Sequence, residues 1–306
     1  MNRKKAGWLY LIIAVVSISI SFLLTFLYAK FDYELDMIPN ILLSEAMLIV
    51  PTFFMFLFSK DKVTEVLSIK KIKWTTVFGV VAFTMASSPL VTLVNLVSQL
   101  FVDNTVTASS EQFLSMHPLL LLFFVGILAP VCEEVVFRGA IFGGYKKDGN
   151  VFKAVLASGI LFGLLHMNIN QASYALVIGL LLGFLVEATG SIFSSILFHM
   201  LINSSNVLMM IVSNSIVSDE MMAGAQEAVS TGMLLNMIGI YLVMAVVGTT
   251  IAICLLVWMS KNEGRQQLLI KAWDDRKQKT GKLISIPFII GVVISILFML
   301  LEFIPF

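Results

Sequence analysis

Charge is what this chain has least of. Only 13% of its 306 residues are Asp, Glu, Lys or Arg, while 58% are hydrophobic, and the mean hydropathy is +0.96. A water-soluble domain of this size does not need that much apolar surface, so the class is a polytopic membrane protein. A formal net charge of +1 gives no electrostatic footing for nucleic acid as a partner. Cysteine is scarce as well: Cys132 and Cys254 both lie in apolar runs and read as free thiols rather than a disulfide. No signal-peptide cleavage pattern is visible, and the first apolar run, residues 8–29, is too long for a signal h-region and reads as an anchor. Period-two alternation is missing too, which leaves helices as the spanning solution that satisfies the backbone internally.

What is there is a series of long apolar runs. A transmembrane helix needs about 20 mostly apolar residues in a row, which gives spans near 8–29, 38–59, 74–101, 118–142, 151–167, 171–188, 191–213, 233–259 and 283–304. The fifth and sixth are short and closely spaced, so the total is nine, or eight if one is re-entrant. Basic residues set the orientation. Arg3, Lys4 and Lys5 precede the first span; Lys60, Lys62, Lys70, Lys71 and Lys73 fill the second connection. Lys146, Lys147 and Lys153 follow the fourth span, and seven Lys or Arg lie between 261 and 282, leaving only Lys30 and Arg138 elsewhere. The intervening connections are acidic or neutral. This alternation places the amino terminus in the cytoplasm and the carboxy terminus outside, in an integral, multi-pass cell-membrane protein.

Small residues four apart recur as Gly139 with Gly143, Gly159 with Gly163, and Gly179 with Gly183. Such spacing lets helices approach closely and is generic in membrane bundles. All three pairs fall in or at the end of spans four to six. The expected organisation is an all-α bundle with a compact core of four helices over 118–213. Residues 1–117 form a surround, and 214–306 add further spans with a basic cytoplasmic connection.

Inside that core, the fourth span carries "LAPVCEEVVFRGAIFGG". Glu134 and Arg138 are four apart, share a helix face and can pair. Glu133, turned by about 100°, faces a different neighbour. Pro130, one turn earlier, should kink the helix and free a carbonyl. A plain structural account has Arg138 snorkelling to the cytoplasmic interface with Glu134 as counter-ion, but it leaves Glu133 unexplained.

Two of the three histidines lie in spans. His166 has Phe162 one turn before it, and His199 has Asn203 one turn after it. A lone intramembrane His is often a satisfied helix–helix contact; two, with an Asn and an unpaired Glu, make a kit. A carboxylate held away from bulk water can take a proton from a water molecule, and one His can share that water or stabilise the hydroxide. A second His and an amide could donate to an oxyanion. The same Glu133, His166 and His199 could instead ligate zinc and leave an open position for water. Both versions end at amide hydrolysis. His117, before a proline at an outer boundary, reads as interfacial. Other hydrolase chemistries fit poorly. There is no His-Glu-x-x-His, no Gly-x-Gly-Asp, and Ser158 lacks a nucleophile-elbow flank. Cys132 adjoins two acids that disfavour a thiolate.

The three motifs "EEVVFR", "FGLLH" and "HMLIN", in that order on separate spans, resemble the CPBP family, the CAAX-protease and bacteriocin-processing intramembrane proteases also called the Abi family. The resemblance covers about residues 118–210 and implies endopeptidase cleavage of a peptide or protein substrate at the lipid bilayer. It implies that Glu133 and His166 activate the water, and that His199 and Asn203 stabilise the oxyanion. Glu134 and Arg138 match the family's second acid and its arginine. Members are usually called metalloproteases, with zinc the expected ion, although a metal-free glutamate route has been argued for them. The resemblance does not choose among prenylated-protein processing, peptide maturation and bacteriocin immunity.

Two other classes compete. A proton- or ion-coupled transporter could use the same acids and histidines as a relay, and would be favoured by an inverted repeat, which the chain lacks. A non-catalytic regulator would keep the fold without needing Asn203 one turn after His199. Two further acids are assigned structural roles: Glu45 as a bundle contact and Glu187 as a solvated residue near the cytoplasmic end of its span. One geometric demand follows from helix rise. His166 would stand about 22 Å above the start of its helix, against about 12 Å for His199 and 13 Å for Glu133. They meet only if the fifth helix begins later or tilts, with "KKDGNVFK" as an interfacial segment. Oligomeric state is not legible in the sequence.

Overall fold

The computed structural model describes residues 2–59, 62–216, 231–278, 282 and 284–303. Lys60, Lys279, the acidic connection at 218–227 and the two ends of the last expected span lie outside the described residues. The apolar runs form helices in the expected order. They are α1 (Arg3–Phe31), α2 (Met37–Leu57), α3 (Trp74–Ser98), α4 (Pro118–Lys146), α5 (Val151–Leu165), α6 (Ile169–Thr189), α7 (Ile192–Ile216), α8 (Thr231–Asn262) and α9 (Ile286–Leu300). No strand occurs among the described residues. The protein is a polytopic helical bundle. Seven of these helices are long and apolar enough to cross a bilayer; α5 and α9, with 15 residues each, are shorter. At 1.5 Å per residue, 15 residues reach about 22 Å, less than the roughly 30 Å hydrocarbon core. The fifth span is short as expected. The sixth is not: it runs 21 residues, because Asn168 caps it early and Gly190, at φ +73°, ends it late.

Local chemistry fixes the turns around the core. The Asn150 side chain accepts from the Lys153 N–H at 2.9 Å and starts α5. The Asn168 side chain accepts from the Gln171 N–H at 2.8 Å and starts α6. Between α5 and α6 the chain reverses through Met167, a non-glycine residue at φ +54°, a conformation that costs energy and is held by its surroundings. The two helices close on each other where Gly159 meets Gly179. A Cβ on Gly179 would sit 2.8 Å from the Gly159 Cα, so this pair packs backbone to backbone. Gly139 and Gly143 have another use. They receive Leu67 and Val66 from the connection after α2, where a Cβ on Gly139 would fall 2.2 Å from a Leu67 methyl.

The basic residues gather at one end of the bundle. Lys146 and Arg265 both meet the Glu187 carboxylate, Arg265 at 3.3 Å. Arg3 pairs with Asp148 at 3.2 Å and donates to the Lys282 carbonyl at 3.1 Å. The Lys73 N–H donates to Glu263 at 3.0 Å. Glu187 is therefore structural, but it is buried between two cations rather than solvated. The basic connection after α8 folds as a helix, Gln266–Asp274, that turns Leu269 and Ala272 inward. Behind it, Asp275 accepts from the Val151 N–H at 3.0 Å. That anchor fixes the start of α5 at Val151, so the expected later start, with 146–153 as an interfacial stretch, does not occur.

Candidate active site

The site begins with an irregularity in α4. Residues Leu122–Leu128 and Val135–Ile141 are π-helical, separated by the α-helical Ala129–Glu134. The Ala129 N–H donates to the Phe124 carbonyl, five residues back. The next donor in that pattern would be residue 130, and proline has none. Two side chains of α7 take up the slack. Asn203 Nδ2 donates to the Val125 carbonyl at 3.2 Å, and Ser204 Oγ donates to the Gly126 carbonyl at 3.3 Å. The expected free carbonyl exists, and it is what ties α7 to α4. Such π turns recur at functional sites because they re-aim side chains within a helix.

Arg138 does not snorkel. It is 1% exposed, with Nη1 3.0 Å from Glu134 Oε1, and its guanidinium lies over the Phe162 ring at 4.2 Å. Glu134 is equally buried and receives a second partner, His199 Nδ1, which donates to Oε1 at 3.1 Å. With Nδ1–H committed to Glu134, the remaining ring nitrogen of His199 is Nε2. That atom faces Glu133 Oε2 at 3.8 Å. Glu133 Oε2 has no hydrogen-bond partner among the described residues.

Phe162 organises the remainder. Its ring meets those of His166 at 5.3 Å, His199 at 5.6 Å and Phe137 at 5.2 Å, all close to edge-on. His166, at the end of α5, has Nδ1 bonded to the Phe162 carbonyl at 3.0 Å, which leaves its Nε2 free. A cavity of about 710 Å³ is lined by Glu133, Phe162, His166, His199 and Asn203 together. Four of the six residues singled out from sequence thus share one chamber; Glu134 and Arg138 sit behind it, against His199 and Phe162. The expected mismatch in height does not keep the groups apart.

The other polar residues fall elsewhere. Cys132 hydrogen-bonds the carboxyl of Glu45 from α2, which makes Glu45 the bundle contact expected of it. His117 caps the start of α4, its side chain accepting from the Leu119 N–H at 3.3 Å. The atoms left free on Glu133, His166 and His199 are those a zinc ion would require. As placed, however, no three His, Cys, Asp or Glu side chains among the described residues form a group that could hold a metal. Sequence reasoning missed the shared role of Phe162. It also missed Asn95, Gln171, Tyr174 and Asn206, which line the same cavity. Asn95 belongs to α3, in the stretch read as surround. A single polar residue in an apolar helix gives no hint of which cavity it will face.

Residues 115–205 match the family model described as type II CAAX prenyl endopeptidase Rce1-like, a segment that contains all six residues. The chain is 31% identical over 90 residues to the protein named "Putative membrane peptidase YdiL" of Bacillus subtilis (strain 168), covering 29% of this chain and 37% of that one. It is 34% identical over 119 residues to "UPF0177 protein YxdF" of Lactococcus lactis subsp. lactis (strain IL1403), covering 39% of this chain and 63% of that one. The chain therefore spans less than two thirds of the length of either relative. No solved structure matches it.

Proposed function

We propose that the protein is an intramembrane endopeptidase that hydrolyses a peptide bond of a membrane-associated polypeptide with water activated by Glu133. The observation that carries this reading is Glu133 on the wall of the cavity, its Oε2 without a hydrogen-bond partner and 3.8 Å from His199 Nε2. That gap is too long for a direct hydrogen bond, and a water in the cavity that Glu133 and His199 both line can meet the carboxylate beside the imidazole.

In the mechanism this supports, Glu133 takes a proton from the water, and the hydroxide attacks the scissile carbonyl. His166, its Nδ1 held by the Phe162 carbonyl, accepts from the same water through Nε2. The tetrahedral oxyanion then receives donors from α7. An amide nitrogen carries two N–H groups; Asn203 commits one to Val125 and keeps the other. His199, as the imidazolium flanked by Glu133 and Glu134, donates from Nε2. Collapse of the intermediate breaks the C–N bond, and Glu133 returns its proton to the leaving amine. Arg138 and Glu134 position His199 rather than touch the substrate. A zinc ion held by Glu133, His166 and His199 would require those side chains to draw together, and no step here runs through one. If bound, it would polarise the carbonyl and the attacking water.

The test compares peptides released from membranes holding wild-type protein or Glu133→Gln. Fragments that vanish with the substitution, and reappear when purified wild-type protein is added, support the reading. An identical peptide pattern overturns it.

A further inference from the structure

The mouth of the cavity lies at one end of the bundle. From Glu133 the chamber runs past Asn203 and Asn206 to Ser213 and Asn214 on the last turns of α7. Its outer wall is the connection between α3 and α4, from Asn104 to Leu114. That connection is fastened to the start of α6. Thr105 Oγ1 donates to Asn168 Oδ1 at 3.2 Å, and the Thr105 N–H reaches Asn170 Oδ1 at 3.4 Å. Asn170, fully buried, in turn donates to Asn95 and Ser98 at 2.9 Å each.

This is the end opposite the basic one. Lys146, Asp148, Glu187, Arg265 and Lys282 mark where α4 and α6 finish and α5 begins. The mouth is where α4 and α6 begin and where α3, α5 and α7 finish. Among the described residues, no Lys or Arg lines the cavity. Basic connections stay in the cytoplasm, so the mouth faces the other side. Its chemistry is also specific. Carboxamides and hydroxyls on Thr107, Ser110, Gln171, Asn206 and Asn214 line the approach, offering both donors and acceptors. An extended peptide presents both along its backbone. Deeper in, Ile178, Ile202 and Val207 provide an apolar wall.

We infer that the substrate reaches Glu133 from the extracytoplasmic side, as an extended polypeptide segment lying in this chamber. A lipidated protein resting in the cytoplasmic leaflet would arrive at the closed, basic end. The inference rests on the endopeptidase reading for what happens at the floor of the chamber, but not for where the chamber opens.

The experiment uses the full chain with Cys132→Ser and Cys254→Ser in place and single cysteines introduced as Thr107→Cys, Ser213→Cys or Lys147→Cys. Intact cells are treated with a membrane-impermeant maleimide. Thr107→Cys and Ser213→Cys should label in intact cells, and Lys147→Cys only after permeabilisation; the reverse pattern overturns the inference. Right-side-out vesicles are then given a fluorescein-labelled casein digest. Complete modification of Thr107→Cys with a bulky maleimide should reduce its Glu133-dependent cleavage at least tenfold, while modification of Lys147→Cys should not. Undiminished cleavage after complete modification overturns the chamber as the route and leaves the endopeptidase reading standing. Absence of Glu133-dependent cleavage in vesicles of both orientations overturns the endopeptidase reading and the substrate inference with it, while the labelling still fixes the side on which the chamber opens.

Discussion

Asn203 donates to the carbonyl of Val125 at 3.2 Å, the acceptor that Pro130 leaves without a donor of its own. One side chain thereby closes a gap in α4 and faces the chamber. These two duties predict separable losses. Asn203→Ala should lower kcat by about 100-fold with a small change in KM, the cost of removing one oxyanion donor. It should also lower Tm in detergent, since an orphaned buried carbonyl costs about 1–3 kcal/mol. Pro130→Ala supplies a backbone N–H nearby, so the double variant should regain part of the Tm and none of the rate. Recovery of rate in the double variant would reduce Asn203 to a helix tie.

Glu133→Gln keeps size and shape but removes the base. Turnover of a cleaved peptide should fall by about 10³-fold or more, in the range general-base catalysis supplies, with Tm little changed. Glu45→Gln serves as the contrast. Its carboxyl meets Cys132 and is not among the groups that line the cavity, so turnover should stay within a few-fold of wild type. Equal losses in the two variants would argue that the acids act as one group and that Glu133 is not the sole base.

Arg138→Lys should be poorly tolerated despite keeping the charge. An ammonium cannot lie over the Phe162 ring as the planar guanidinium does. Removing one partner of a buried ion pair costs about 3–5 kcal/mol, read as a large fall in Tm for Arg138→Met alone. Replacing both, as Glu134→Leu with Arg138→Met, should restore much of the Tm. It should not restore turnover, because His199 Nδ1 loses its acceptor. Full activity in that double variant would show that the pair is only structural.

Gly179→Ala probes the crossing of α5 and α6. The added methyl would lie 2.8 Å from the Gly159 Cα, and 3.1 Å from the Gly159 carbonyl oxygen. Backbone cannot yield as a side chain can, so the helices must part, at a cost of about 1–3 kcal/mol. Because α5 carries His166, kcat should fall as well. Gly239→Ala on α8, where nothing lies within 4 Å, should leave both Tm and kcat unchanged.

Metal dependence separates the two routes to hydroxide. With activation by Glu133 and His166 alone, prolonged treatment with 1,10-phenanthroline should leave turnover intact. A loss of more than tenfold, restored by stoichiometric zinc, would instead assign Glu133, His166 and His199 as ligands.

Much of the bundle could be read from the order of apolar runs, because in hydrocarbon every spanning segment must satisfy its own backbone. The fourth and seventh helices begin within a residue of where hydropathy put them. The Glu134–Arg138 pair was legible for the same reason: spacing of four on a helix fixes proximity. What spacing cannot supply is the partner across helices. Nothing in "SGILFGLLH" says that Phe162 will receive a guanidinium from α4 and an imidazole from α7. The π-helical character of α4 was equally hidden. Pro130 announces a missing donor, but the way the helix absorbs it depends on Asn203 and Ser204, more than 70 residues away in the chain. The anchoring of α5 at Val151 by Asp275 was invisible for that reason too.

The Phe162 ring borders the chamber on one side and Arg138 on the other. It works as a gasket: solvent that fills the chamber stops at the hydrocarbon of the ring and does not wet the guanidinium behind it. Mobile ions, which weaken fields only where they can penetrate, are then kept from the fixed charges that hold His199 in place. Turnover should accordingly be almost indifferent to added salt, and the catalytic pocket should carry its own electrostatic climate from one medium to the next.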